Sequence, residues 1–140
     1  MNKKGFTLIE LLAVVVILGI LSLIAVPNVI SIVDNNKKDT MLSDARKLIS
    51  QAKYKVNIDK TVRDSKDSTL YLKDLDINKD IKLDPDGGTY DRDNSYVHYK
   101  VDADGVATFC VYLEGSKMKV ANDTGGCVFE DFLFIRSNVR

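Results

Sequence analysis

The sequence predicts an α+β protein with one long amino-terminal helix, hydrophobic in its first half, whose second half packs on a small antiparallel sheet. Three observations predict this arrangement. Residues 6–27 are almost entirely apolar, and Glu10 is their one ionisable side chain. From Met41 onward, apolar residues recur every three or four positions, which is the spacing of one helix face. After Ser95, short β-branched or alternating segments are separated by turn residues, as is typical of strands.

The apolar segment is long enough to span a membrane. Its 22 residues, 6–27, extend about 33 Å as a helix, close to the roughly 30 Å of a bilayer's hydrocarbon core. Because Lys3 and Lys4 precede it, the amino terminus should stay cytoplasmic while the rest of the chain is exported. A small residue, Gly5, stands before the apolar segment rather than after it, unlike an ordinary secretory signal. Cleavage after Gly5 therefore keeps the helix and makes Phe6 the new amino terminus.

Glu10 requires a partner, because a carboxylate in an apolar environment is costly. The α-amine that cleavage creates at Phe6 is a natural one. The two groups are poorly placed to pair within one helix, but Glu10 of one chain can meet Phe6 of the next. Such a salt bridge would neutralise both charges and set the axial stagger of neighbouring chains. The alternative is a membrane anchor that tolerates one glutamate near its end.

Around the predicted cleavage site the chain reads Lys3-Lys4-Gly5-Phe6-Thr7-Leu8-Ile9-Glu10-Leu11. This run resembles the signature of type IV prepilins. The resemblance implies that a prepilin peptidase removes residues 1–5 and methylates the new amino terminus at Phe6, and that Glu10 is the glutamate of the family's fifth mature position. It also implies an assembly ATPase and a membrane platform protein as partners. Pseudopilins of secretion and DNA-uptake machines share the signature, so it does not separate them from pilins.

The helix should continue beyond Pro27, with residues 28–57 as its amphipathic second half. A proline inside a helix usually kinks it, and Gly19 also disfavours a helix interior. In filaments of the resembled family the helix can loosen between such positions, and the family's frequent proline falls on Pro27. We therefore expect Gly19 and Pro27 to bracket a helix hinge. The alternative is a glycine without a special role, since glycine is common in membrane helices.

Residues 58–94 should form the αβ-loop that joins the helix to the sheet. Within it, residues 68–75 fit either a short helix or a strand, and Asp84-Pro85-Asp86-Gly87-Gly88 is a strong breaker cluster. Residues 85–97 also resemble, more loosely, major pilins of low-GC bacteria. The carboxy-terminal region, residues 95–140, should hold an antiparallel meander. Its predicted strands are residues 95–101, 106–113, 117–121 and 127–136.

The two cysteines, Cys110 and Cys127, are 17 residues apart. An exported domain can hold such a pair as a disulfide. Closing this loop would stabilise the fold by about 3 kcal/mol in the chain-entropy model. We expect the disulfide, which many members of the resembled family also carry near the carboxy terminus. The alternative is two buried, reduced thiols.

Charge and residue inventory argue against several function classes. Basic and acidic side chains number 20 each, which gives no reason to expect nucleic-acid binding by the isolated subunit. His98 is the only histidine, and the sequence shows no nucleophile–base pattern, so we expect neither catalysis nor a cofactor. Acidic turns at Asp84 and Asp102 do not complete an EF-hand, so calcium is a minor alternative and no metal site is predicted. Four tyrosines suit either surface binding or strand packing, namely Tyr90, Tyr96, Tyr99 and Tyr112.

Together these features predict a pilin, a structural subunit of a type IV pilus. The precursor is a single-pass protein of the cytoplasmic membrane, and the mature chain polymerises into an extracellular helical filament used for adhesion, motility or aggregation. One alternative is a pseudopilin of a DNA-uptake or secretion apparatus. Another is a monomeric single-pass membrane protein with a ligand-binding head, which would keep residues 1–5 and tolerate the loss of Glu10.

Overall fold

The computed structural model of the chain describes residues 5–75, 81, 83–133 and 135–140. Residues 1–4 of the predicted leader, six residues of the predicted αβ-loop (76–80 and 82) and Phe134 of the carboxy-terminal region lie outside the described residues. The chain divides into two compact units, Met1–Asn35 and Asn36–Arg140. The second unit contains the sheet and the core.

The helix α1 spans Leu8–Ile58 and contributes to both units. In the first unit its apolar side chains are exposed within the chain, as the all-round hydrophobic pattern predicts. In the second unit one face is buried, at the three- and four-residue spacing read from the sequence. The buried residues of this face are Met41, Leu42, Ala45, Leu48, Ile49, Ala52 and Val56.

A short helix and a strand follow α1. The helix α2 spans Lys60–Ser65, and the Asp59 side chain caps it by accepting hydrogen bonds from the backbone N–H groups of Thr61 and Val62. The chain then leaves α2 through Lys66, which has a positive φ of 56°. Strand β1 spans Asp67–Tyr71, so the segment that fitted either a helix or a strand begins as a strand and ends in a 3-10 turn at Leu72–Asp74.

The described strands form one antiparallel sheet, and the α+β fold class predicted from the sequence is confirmed. The strands after β1 are β2 (Tyr96–Val101), β3 (Ala107–Glu114), β4 (Lys119–Val120) and β5 (Val128–Phe129). The order of the strands in the sheet is β1-β2-β3-β4, with β5 also pairing with β3. The inner face of β2 and β3 buries the residues that alternate along them, such as Val97, Tyr99, Phe109 and Val111.

The carboxy-terminal strands differ from the predicted meander. Strand β5 pairs with β3 at Cys110 and Val111, beside the two β3 residues that pair with β4. The Cys110–Cys127 disulfide explains this placement, because it joins β3 to the residue just before β5, with a Cα–Cα distance of 5.4 Å. Beyond β5 the chain forms 3-10 turns at Glu130–Phe132 and Arg136–Asn138 instead of a long strand.

Three connections in the second unit use the same five-residue turn. In each, the first residue is Asp or Asn, and its side-chain oxygen accepts the backbone N–H groups of the third and fifth residues. The fourth residue is a glycine with φ of 86°, 83° or 82°, in the left-handed region that glycine adopts without a steric penalty. The turns are residues 84–88, 102–106 and 122–126.

Polar contacts attach the αβ-loop and the carboxy-terminal segment to the second half of α1. The Tyr90 hydroxyl donates to the buried Asp44 carboxylate at 2.9 Å. Arg136 donates two hydrogen bonds to the carboxylate of Asp39, both at 2.7 Å, and this pairing lowers the pKa of Asp39. Further contacts are Lys37–Asp86 and Lys53–Glu130, each at 2.7 Å.

Asp84 joins the first of these turns to the β3–β4 connection. Its side chain is buried and accepts the backbone N–H groups of Asp86 and Gly88 at 2.9 Å each, and that of Ser116 at 2.5 Å. Burial by itself would raise the pKa of Asp84, but the hydrogen bonds from Ser116, Gly88 and Asp86 outweigh it and hold the pKa below its ordinary value. The ionised carboxylate therefore stabilises the αβ-loop against the sheet.

We expect the disulfide to be a main contributor to stability. Replacing Cys110 and Cys127 together by serine should lower the free energy of unfolding by about 3 kcal/mol, because the unfolded chain regains the entropy of an open loop. Urea denaturation of the full mature chain in detergent, followed by tyrosine emission, measures the change. Adding a reductant should destabilise the wild-type chain and leave the double variant unchanged; equal stability of the two chains would contradict the prediction.

Asp84→Asn should lower the free energy of unfolding at neutral pH by about 1–3 kcal/mol, because the side-chain Oδ1 can keep the two turn bonds while the amide nitrogen would face the Ser116 N–H, from which Oδ2 now accepts a hydrogen bond. The folded-state pKa of Asp84 lies below its unfolded value, so this stabilisation is present above the unfolded pKa and is lost as pH falls through the folded pKa. The pH dependence of urea stability in acid should therefore be flatter in the variant.

Asp102→Asn is the matched control for Asp84→Asn. Asp102 occupies the same position of the same type of turn but is exposed, and Asn122 already fills that position in the third turn. Its substitution should change the free energy of unfolding by less than about 0.5 kcal/mol. Equal losses in the two variants would show that the buried contact with Ser116 contributes nothing specific.

Candidate functional site

The amino-terminal part of α1 presents an apolar surface that the single chain does not cover. Leu8, Leu12 and Ile17 are 85%, 59% and 57% exposed, and no side chain of the most apolar 18-residue window is buried. Within the described residues, α1 is the helix that is long and apolar enough to cross a membrane, by length and composition. Hydrocarbon or other protein chains must therefore cover this surface.

Glu10 lies in the first turn of α1 and bonds to Thr7. The Glu10 carboxylate atom Oε2 accepts the backbone N–H and the hydroxyl of Thr7, each at 2.8 Å. In return, the backbone N–H of Glu10 donates to the Thr7 hydroxyl oxygen at 3.3 Å. These reciprocal bonds form a capping box, which satisfies backbone donors that the start of any helix leaves unpaired.

The structure thus places the predicted processing and pairing residues together at one helix end. Gly5 and Phe6 directly precede the capping box, and both are exposed; an added Cβ at Gly5 would meet no atom within 4 Å. The partner of Glu10 within the chain is Thr7, and the salt bridge between Glu10 and Phe6 of another chain stays a prediction. Thr7 was missed in the sequence analysis, although the T-x-x-E spacing before an apolar run is a known capping signal.

The predicted hinge residues, Gly19 and Pro27, lie within the continuous helix α1 of the free chain. Near them, polar side chains bond back to the helix: the Ser22 hydroxyl donates to the Leu18 carbonyl at 2.7 Å, and the Ser31 hydroxyl to that of Asn28 at 3.0 Å. Such bonds satisfy polar side chains within an apolar environment. The hinge itself stays a prediction.

The one histidine of the chain lies on the outer face of the sheet. The Nδ1 atom of His98 is 3.1 Å from the Thr69 hydroxyl, and Nε2 is 3.4 Å from an Asp67 carboxylate oxygen. Within the described part of the chain, no group of three or more His, Cys, Asp or Glu side chains is arranged to hold a metal ion. The carboxylates of Asp84 and Asp102, weighed above for calcium, accept the N–H groups of their own turns.

The four tyrosines weighed above for surface binding divide between the core and the outer face of the sheet. Tyr90 and Tyr99 are buried, so surface binding does not apply to them. Burial, followed by the nearby Asp44 carboxylate, raises the pKa of Tyr90 far above its ordinary value and keeps its hydroxyl a donor. Tyr96 and Tyr112 are partly exposed on neighbouring strands, and their rings stack with centroids 5.6 Å apart. Strand packing accounts for this pair as cross-strand stabilisation.

The hinge hypothesis predicts a weak segment in α1. Amides of residues 19–27 should exchange faster than those of residues 41–56 when the mature chain is held in detergent micelles, because Pro27 donates no helix hydrogen bond and Gly19 weakens the helix. Gly19→Ala should slow exchange in this segment about fivefold. Ala13→Gly, the matched control, should speed exchange around residue 13 and leave residues 19–27 unchanged; uniform exchange along α1 would contradict the hypothesis.

Comparison with known proteins gives one match. The model of the prokaryotic N-terminal methylation motif matches residues 1–26, which contain the predicted cleavage site, the capping box and the apolar start of α1. No curated protein and no solved structure matched the chain. The match supports a type IV pilin-like signal peptide at the amino terminus. Together with the long apolar helix and the α+β fold, it supports a type IV pilin-like or pseudopilin-like protein.

Proposed function

We propose that this chain is a pilin, a structural subunit that polymerises through α1 into a type IV pilus. One observation supports the proposal most directly: the matched methylation motif includes the start of a helix whose apolar side chains are exposed in the single chain. A filament replaces the lipid around each such helix with the helices of other subunits, so the same surface serves both the membrane-anchored and the assembled state.

Processing prepares the chain for assembly. A prepilin peptidase removes residues 1–5 with Lys3 and Lys4, and methylates the amine created at Phe6. The apolar segment, residues 6–27, is thereby left with one positive group, the Phe6 amine, and one negative group, Glu10, four residues further along. The exposed backbone around Gly5 suits access by such a peptidase.

The charges of Phe6 and Glu10 then select the register between subunits. A carboxylate in an apolar filament core is costly unless a cation neutralises it. The Phe6 amine of a neighbouring subunit is such a cation, and it reaches Glu10 at only one axial offset between parallel helices. We therefore infer an intersubunit salt bridge that combines charge neutralisation with the choice of stagger.

Assembly also needs partners outside the filament. The precursor is anchored in the cytoplasmic membrane, and its carboxy-terminal domain, which we call the head, is exported. An assembly ATPase and a membrane platform protein then move subunits into the growing filament. The heads then form the outer surface, where they serve adhesion, motility or aggregation. We assign no catalysis to this chain, because its sequence shows no nucleophile–base pattern.

A pseudopilin of a DNA-uptake or secretion apparatus is the second candidate. The matched motif supports it equally, since both kinds of subunit carry the same amino-terminal region. The two differ in where the processed chain is found. A pilin appears in long filaments that shear from the cell surface, whereas a pseudopilin stays in the envelope.

Mass spectrometry of sheared surface material tests the proposed function. A filament fraction dominated by a chain that starts at N-methylated Phe6, two hydrogens lighter for the Cys110–Cys127 disulfide, is the expected result. A processed chain that remains in the envelope favours the pseudopilin. A chain that still begins at Met1 in its working location contradicts both and favours a simple membrane anchor.

Glu10→Ala should leave export and cleavage intact but lower the yield of sheared filaments at least about tenfold, because an unpaired Phe6 amine is then buried in the core. Leu11→Ala, which removes a neighbouring apolar side chain and no charge, is the control and should have a much smaller effect. Immunoblots of the membrane and sheared fractions measure both. Normal filament yield from Glu10→Ala would overturn the proposed salt bridge.

A further inference from the structure

The bonds between Thr7 and Glu10 are directed at one carboxylate oxygen. Both Thr7 donors, the backbone N–H and the hydroxyl, are 2.8 Å from Oε2, and neither bonds to Oε1. An ionised carboxylate has two acceptor oxygens with about four lone-pair sites in all. The capping box therefore uses part of the hydrogen-bonding capacity of Glu10 and leaves Oε1 for another donor.

The same bonds restrict the movement of the Glu10 side chain. A glutamate on a helix surface normally samples several rotamers. Here the carboxylate is turned back toward the start of α1, and the bond from the Glu10 backbone N–H to the Thr7 hydroxyl closes the box. The negative charge is thus held at the amino-terminal end of α1, which is also the end at which the chain's own Phe6 lies. The Phe6 of a neighbouring chain with the proper stagger would lie at the same end.

The capping box also bears on the membrane-anchored state, in which no neighbouring amine is available. Within a bilayer, polar groups without partners are costly, and this applies to helix-end N–H groups and carboxylates alike. The Thr7–Glu10 pair satisfies both kinds of group with bonds inside one chain. Glu10 therefore already accepts hydrogen bonds from Thr7 before assembly begins. Assembly would add the Phe6 ammonium of a neighbouring chain as a further donor.

We propose that Thr7 is a positioning residue for assembly: it holds Glu10 by Oε2, so that the Phe6 ammonium of a second copy of this chain binds Oε1 with the capping box intact. This inference rests on the proposed function. It assigns to Thr7 a role distinct from that of a simple helix cap, because a simple cap acts on the backbone N–H of residue 10 and does not depend on the Glu10 side chain.

A double-mutant cycle separates the two roles. Each variant is co-expressed with a tagged wild-type subunit, and mass spectrometry counts its share of sheared filaments. The share is normalised to membrane chains that begin at methylated Phe6, so that differences in cleavage do not enter the ratio. The variants are Thr7→Val, which removes the hydroxyl at nearly constant shape, Thr7→Ser, which keeps it, Glu10→Ala, and Thr7→Val combined with Glu10→Ala.

The expected result is that Thr7→Val lowers incorporation about fivefold, as the loss of one capping interaction implies, while Thr7→Ser stays near wild type. In the Glu10→Ala background, Thr7→Val should cause no further loss. An equal loss in both backgrounds would show that Thr7 acts only as a backbone cap and would overturn the inference. So would normal incorporation of Thr7→Val beside wild-type Glu10.

Failure of the underlying function would look different. If the wild-type chain yields no filaments, or if Glu10→Ala incorporates as well as wild type, the proposed function or its salt bridge is wrong, and the positioning role of Thr7 fails with it. Thr7→Ala is the second variant in case the peptidase does not cleave Thr7→Val. It also lacks the hydroxyl and should show the same dependence on Glu10.

Discussion

Along the first half of α1 the apolar side chains are exposed within the single chain, and hydrocarbon or other chains must cover them. This requirement links the separate features of the amino terminus. Under the proposed function, membrane lipid covers this surface before assembly and other helices cover it afterwards. In both states, a polar group on this surface needs a hydrogen-bond partner nearby. Thr7, Glu10, Ser22 and Ser31 obtain such partners within the helix.

In the second unit the same helix is covered on one side only, and the sheet supplies that cover. Two of the strands, β4 and β5, have only two residues each, too few for backbone pairing alone to hold the carboxy-terminal segment. Side-chain contacts compensate for this. The Cys110–Cys127 disulfide joins β3 to the start of β5, and Arg136 bonds to Asp39 of α1. The carboxy-terminal segment is therefore held by the disulfide and by side-chain contacts with α1 rather than by an extended sheet.

Glu10 shows how one side chain serves two states. In the free chain its carboxylate caps the helix through Thr7, which lowers the cost of a charge near the apolar surface. In a filament the same carboxylate would meet the amine of another subunit's Phe6. The two uses are compatible, because the carboxylate has two oxygens and Thr7 occupies one.

The amino-terminal helix, its amphipathic second half and the strands β2 and β3 were predictable from the sequence, because these depend on local periodicity and composition. The capping box of Thr7 and Glu10 was equally predictable from the sequence but was missed. The pairing of β5 with β3, the strand at residues 67–71, and the burial of Tyr90 against Asp44 were decided by tertiary structure. Each depends on contacts between residues distant in sequence, and short strands leave too little periodicity to reveal such partners in advance.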